Sequence, residues 1–104
     1  MREIITIGTH KRETLVDVTE PVKRIVSASG IRNGIVTVYA QGATTATMIQ
    51  ENWDESVQTD VLALLCKIIP RGVWLHDQQD GNGDAHFKTG LVGPSETIPI
   101  IDSQ

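Results

Sequence analysis

Chemistry-bearing side chains crowd into one stretch of this 104-residue chain, His76 to Pro99, HDQQDGNGDAHFKTGLVGPSETIP. Two of the three histidines, His76 and His86, stand ten residues apart there, with the acidic, glycine-bearing loop Asp80–Asp84 (DGNGD) between them. Imidazole changes protonation near neutral pH and ligates zinc, copper, nickel or iron. The pair can therefore serve as metal ligands, or as a general base and its partner. Two histidines without a cysteine pair leave a zinc shell incomplete. Asp77, Asp80 or Asp84 could complete it directly, or could fix a histidine tautomer from behind. The plainer alternative is two loop histidines that only hydrogen-bond.

Other patterns in the stretch are weaker. Asp80, Asn82 and Asp84 reproduce the D-x-N-x-D opening of a calcium loop, but Ala85 stands where the loop needs glycine and Leu91 where it needs a bidentate Glu. The glycines could present backbone N–H groups to an anion, with Lys88 and Ser95 in support, though no Walker sequence is present. Upstream, Thr44 and Thr45 form a hydroxyl-bearing turn that could bind phosphate or simply begin a strand. Glu51 and Asp60 are candidate acids, or ordinary solvated carboxylates. Cys66 follows the apolar pair Leu64-Leu65, and burial suits it better than nucleophilic catalysis.

The elements that must position these residues read as follows. Residues 3–9 (EIITIGT) predict a strand, and Arg12–Asp17 either a short strand or a loop. Thr19-Glu20-Pro21 predicts a helix start with Thr19 as N-cap, the helix running over about 20–29 to Gly30. Asn33-Gly34 is a turn signal, and Ile35–Gln41 (IVTVYAQ) is the clearest strand. Thr44–Gln50 is expected to be extended and Glu51–Glu55 a polar turn. Ser56–Ile69 predicts a second helix from Val57, Val61, Leu64, Leu65 and Ile68 at helical spacing. Val73-Trp74-Leu75 predicts a short strand delivering His76. His86–Leu91 predicts one or two helical turns, and Thr97–Ile101 a last strand. Together these make a single α+β domain over residues 1–104 with two main helices.

Composition bounds the partners. The net charge is −4, and the nine Lys and Arg are scattered, which argues against nucleic acid and against an anionic membrane surface. With only Tyr39, Trp53, Trp74 and Phe87 as aromatics, the core must be aliphatic. Cys66 is the single cysteine, so no internal disulfide forms. The start has no secretory apolar region and no run is long enough for a membrane span, so a cytoplasmic location is expected.

The succession GIVTVYAQGATTATMIQE, a later helical Asp, and then H…DGNGDAHFKTGLVGPSETIPI resembles the YjbQ family, which carries the label of secondary thiamine-phosphate synthase. The likeness runs from the first strand to Ile101. It is most specific at DGNG-x-x-H…L-x-GPS-x-x-x-PI and looks most like the archaeal-type branch. The resemblance implies an α+β fold with a β-sandwich or barrel-like mixed sheet, assembled as a homotrimer. The activity it implies is weak thiamine-phosphate synthesis, which joins a pyrimidine pyrophosphate to a thiazole phosphate. Alternatively, the protein binds a metal or a phosphorylated metabolite without turnover. The family pattern falls on Thr44, Thr45, Glu51, Asp60, His76, Asp80, Asn82, His86 and Ser95. Of these, His76 and His86 are implied as catalytic residues or as ligands of a divalent metal, zinc or magnesium. Ala43 stands where many members carry a third histidine. Family members continue past Ile101 with a glycine-containing turn and further strand, so a missing C-terminal segment is expected.

Overall fold

Val18, not Thr19, is the N-cap of the first helix, and the residue before it is Asp17. Its Oδ1 accepts a 2.8 Å hydrogen bond from Thr19 N, and the helix (α1, Thr19–Ser29) already includes the threonine expected to cap it. Pro21 fits the first turn because its missing N–H has no partner to lose there. Gly30 ends the helix at φ 75°, a left-handed conformation that glycine adopts without a Cβ clash. Residues 1–9, 11–51 and 53–102 are described by this computed structural model.

After α1 come strand β1 (Gly34–Tyr39), helix α2 (Glu55–Ile68), a 3-10 turn (Leu75–Gln78), helix α3 (Gly83–Val92) and strand β2 (Ser95–Ile100). The class is α+β, as expected from the sequence. Among the described residues the sheet consists of β1 and β2 alone, two strands where the resemblance implies a sandwich- or barrel-like mixed sheet. Thr37 Oγ1 meets Thr97 Oγ1 at 3.0 Å, and three residues onward Ala40 N donates to the oxygen of Pro94, three residues back. Partners that advance on one strand and retreat on the other define an antiparallel register.

Two compact units divide the chain, Met1–Thr37 with Thr97–Gln104, and Val38–Glu96. The first holds α1 and the buried apolar side chains Val26 and Ile100. Its last turn is closed by Asp102 N donating to Asn33 Oδ1 at 3.3 Å. Residues 3–9, expected as a strand, form no regular structure, since a strand exists only where a neighbour takes its backbone groups. His10 lies outside the described residues.

The second unit holds α2, the 3-10 turn and α3. Asp54 caps α2, accepting from Ser56 N at 2.9 Å, so the helix starts one residue before the expected Ser56. Glu51 tightens the approach by accepting from the backbone N–H groups of Trp53 and Asp54. Thr44 lies in a turn, and 45–50 is irregular rather than a strand. One backbone bond, from Thr47 N to Gly93 O at 3.0 Å, ties that segment down. Val73-Trp74-Leu75 is likewise no strand. Trp74 Nε1 donates to Pro70 O at 2.7 Å and Trp74 N to Asp77 Oδ2 at 3.1 Å, and these bonds curl the chain into the 3-10 turn.

Candidate functional site

The 3-10 turn carries His76 and α3 carries His86, and the two elements bring the imidazoles together. Their ring centroids are 4.7 Å apart with planes at 82°, an edge-to-face contact. Beside them opens a cavity of about 280 Å³ lined by His76, Gly83, His86 and Phe87. Phe87 in turn meets Trp74 edge-on, centroids 4.8 Å apart. The lining is therefore imidazole and hydrocarbon, with no ammonium or guanidinium among the lining residues.

His76 Nε2 is buried and has no hydrogen-bond partner. Asp80 Oδ2 lies 3.3 Å from it, within ion-pair range but outside hydrogen-bond geometry. Asn82 precedes α3 in the N-cap position, yet its side chain caps nothing and its Oδ1 is buried without a partner. A buried polar atom with no partner forgoes about 1–3 kcal/mol, so such atoms in a native fold point to a ligand or water that completes them.

The backbone amides of the glycine loop are already engaged. Gly81 N donates to the carbonyl of Asp77 at 3.2 Å, and Gly83 N to Asp77 Oδ1 at 2.8 Å. An internal carboxylate thus sits where an anionic ligand of the expected nest would go. Lys88, expected to support such a ligand, points inward. Its Nζ lies 2.9 Å from Asp84 Oδ2 and 3.7 Å from Cys66 Sγ, with Asp84 fully buried.

His76 and His86 are thus the sequence-derived candidates that the fold brings into contact, with Asp80 beside them. Thr44, Thr45, Glu51, Asp60 and Ser95 do not line the cavity. Thr44 and Thr45 are exposed, Asp60 is exposed on α2, Ser95 opens β2, and Glu51 is occupied with backbone N–H groups. Among the described residues, no group of three or more His, Cys, Asp or Glu could hold a metal ion. Phe87 was not anticipated as part of the site, although its place beside His86 in a chain with four aromatics was a usable signal. Asp77 was weighed as a ligand or a tautomer-fixing acceptor, but its carboxylate serves the main chain instead.

Residues 3–104 match the family of YjbQ-like UPF0047 proteins. The chain belongs to the YjbQ-like UPF0047 family. The UPF0047 protein of Methanocaldococcus jannaschii is 41% identical over 98 residues, covering 94% of this chain and 70% of the relative. YugU of Bacillus subtilis, another UPF0047 protein, is 31% identical over 103 residues, covering 96% and 76%. Among solved structures, a YbjQ-like protein of unknown function from Sulfolobus solfataricus P2 superposes with a TM-score of 0.88 at 27% identity, over 94% of this chain and 71% of that one. A yjbq/upf0047 family protein from Clostridium acetobutylicum gives 0.79 at 36% identity, over 86% and 68%. These YjbQ-like structures share the fold described above. No helix among the described residues is long and apolar enough to cross a membrane.

Proposed function

We propose that the His76–His86 cleft of this YjbQ-like protein is a ligand site for a divalent transition metal acting on a small phosphorylated metabolite. The reading is carried by the edge-to-face imidazole pair, whose His76 Nε2 is buried without a partner. The donor set fits a metal in part: two imidazole nitrogens from this chain, with the Asp80 carboxylate adjacent. Nitrogen donors favour zinc over magnesium, which prefers oxygen ligands in an octahedral shell. Further positions would be taken by water, by the metabolite or by another copy of the chain, and open positions of this kind are what catalytic metal sites keep.

Thiamine-phosphate synthesis is the reaction to test first. Displacing pyrophosphate needs positive charge beside the leaving group. Lys88 is neutralised by Asp84, so within the cleft that charge would come from a bound metal as Lewis acid. Phe87 and Gly83 would wall the metabolite from water. The same site without turnover would make this a metal- or metabolite-binding protein. We further propose a cytoplasmic homotrimer. Leu75 and Leu91, 87% and 61% exposed, are large apolar side chains of the kind that a second copy would cover.

The test is elemental analysis of the purified protein, followed by an assay of the zinc-loaded protein for thiamine phosphate from the two phosphorylated precursors. Stoichiometric zinc with product supports the enzyme, and zinc without product supports the binding protein. Neither metal nor product would overturn the site. Sedimentation at three times the 11.4 kDa chain mass supports the trimer, and a clean monomer removes it.

A further inference from the structure

The element bearing His76 and the element bearing His86 are joined by one side chain. Asp77 Oδ2 accepts from Trp74 N at 3.1 Å, at the entry to the 3-10 turn, and Asp77 Oδ1 accepts from Gly83 N at 2.8 Å, at the first residue of α3. The main chain of Asp77 adds two more bonds, its N donating to Trp74 O at 3.0 Å and its O accepting from Gly81 N at 3.2 Å. Four hydrogen bonds therefore cross at the residue that follows His76.

The approach leaves no slack. A Cβ placed on Gly83 would lie 2.9 Å from Trp74 Cβ and 3.0 Å from Asp77 Oδ1. Gly83 is thus glycine because the first turn of α3 presses directly against the tryptophan stem and the carboxylate. Only an ionised carboxylate serves both donors at once. An Asn side chain has one acceptor oxygen, and its NH₂ would face an N–H group. The negative charge also lies at the N-terminal end of α3, where the helix dipole favours it.

We propose that Asp77 is the positioning residue of the cleft: by bridging the main chain of Trp74 and Gly83, it sets the distance between the imidazoles of His76 and His86. The inference rests on the imidazole pair being the working part of the site, but it makes no use of metal occupancy.

The experiment is two-dimensional NMR on metal-free protein, reading cross-relaxation between the ring protons of His76 and His86, with a zinc titration in parallel. Wild type should show the ring-to-ring cross-peak. Asp77→Asn should weaken it and Asp77→Ala abolish it, while the amide signals of α1 and of Thr97–Ile100 stay in place. Zinc affinity should fall by about tenfold or more in Asp77→Ala. A wild-type cross-peak in Asp77→Ala would overturn the inference. If Asp77→Ala fails to fold, Asp77→Asn decides. It keeps the size of the side chain but offers one acceptor oxygen in place of two, so a folded Asp77→Asn with an undiminished cross-peak also overturns the inference. A wild-type protein that shows the cross-peak, loses it in Asp77→Ala and binds no zinc would leave the positioning role standing and remove the metal reading alone.

Discussion

Lys88 Nζ lies 2.9 Å from Asp84 Oδ2, one turn away on the same helix, and both side chains are buried. Pairs at this spacing usually sit on the helix surface and contribute only about 0.3–0.5 kcal/mol. Here water is largely excluded, and the two charges meet in a low-dielectric setting. Lys88→Ala should destabilise the protein by about 3–5 kcal/mol, because it strips a buried carboxylate of its ammonium partner. Replacing both with apolar residues of similar volume should recover much of that loss. Urea unfolding checks both expectations. A Lys88→Ala loss below about 0.5 kcal/mol would mean that the pair is hydrated in solution.

Glycines at the two ends of α3 should respond to alanine with opposite signs. Gly90 has nothing within 4 Å of an added Cβ, so Gly90→Ala should stabilise by about 0.5–1 kcal/mol through helix propensity. Gly83→Ala gains no more than that, and overpacking against Trp74 and Asp77 costs about 1–3 kcal/mol. The net effect at Gly83 is destabilising. Thermal melts of the two variants side by side would settle it, and a stabilised Gly83→Ala would refute the tight packing.

Asp54 makes the start of α2 sensitive to acid. The backbone hydrogen bond from Ser56, with a smaller contribution from the Ser56 side chain, lowers its carboxyl below the ordinary 3.8. A group whose folded pKa is depressed contributes stability above its unfolded value and loses it as pH falls through the folded one. Asp54→Ala should therefore lower Tm at neutral pH. The gap to wild type should narrow only as the pH drops below about 4. Asp54→Ser, which keeps a capping oxygen, should melt close to wild type at neutral pH and lack this acid dependence. Melts from pH 7 down to pH 3 would expose the pattern, and a gap that is constant with pH would refute it.

Replacing both His76 and His86 with Ala should abolish zinc uptake while leaving Tm nearly unchanged, since neither ring makes a hydrogen bond that the fold depends on for its main chain. Each single replacement should weaken zinc by at least about tenfold. Calorimetric titration reads this directly. Undiminished uptake by the double variant would locate the metal elsewhere.

Both main helices were legible from periodicity and stop signals, because α1 and α2 follow an apolar stripe and end where Gly30 and Pro70 require it. The strongest strand, β1, was legible for its β-branched run. The segment 3–9 was misread because strand propensity reports fitness for a sheet, not the presence of a neighbour. Trp74 was misread for a different reason. Its ring N–H donates to Pro70 O and its backbone N–H to the Asp77 carboxylate, bonds that no local pattern announces. The start of α3 was hidden by the glycines and asparagine of the loop. What stabilises that turn is a carboxylate six residues upstream of the amide it accepts, and a buried ion pair takes the place of an apolar stripe. His76 and His86 were visible by residue type. Their ring-to-ring contact depended on Asp77, whose role was not visible from spacing.

Only two indoles are present, and they differ in setting. Trp53 is almost wholly exposed, while Trp74 is partly buried, hydrogen-bonded to Pro70 and edge-on to the Phe87 ring that lines the cleft. The protein thus carries a built-in optical reporter. With Trp53→Phe, the remaining emission arises from an indole one ring away from the cleft, so a molecule that enters and moves Phe87 shifts the colour and intensity of a single emitter. A collection of small phosphorylated compounds and metals could then be screened by fluorescence, with no label attached and no reaction assumed in advance.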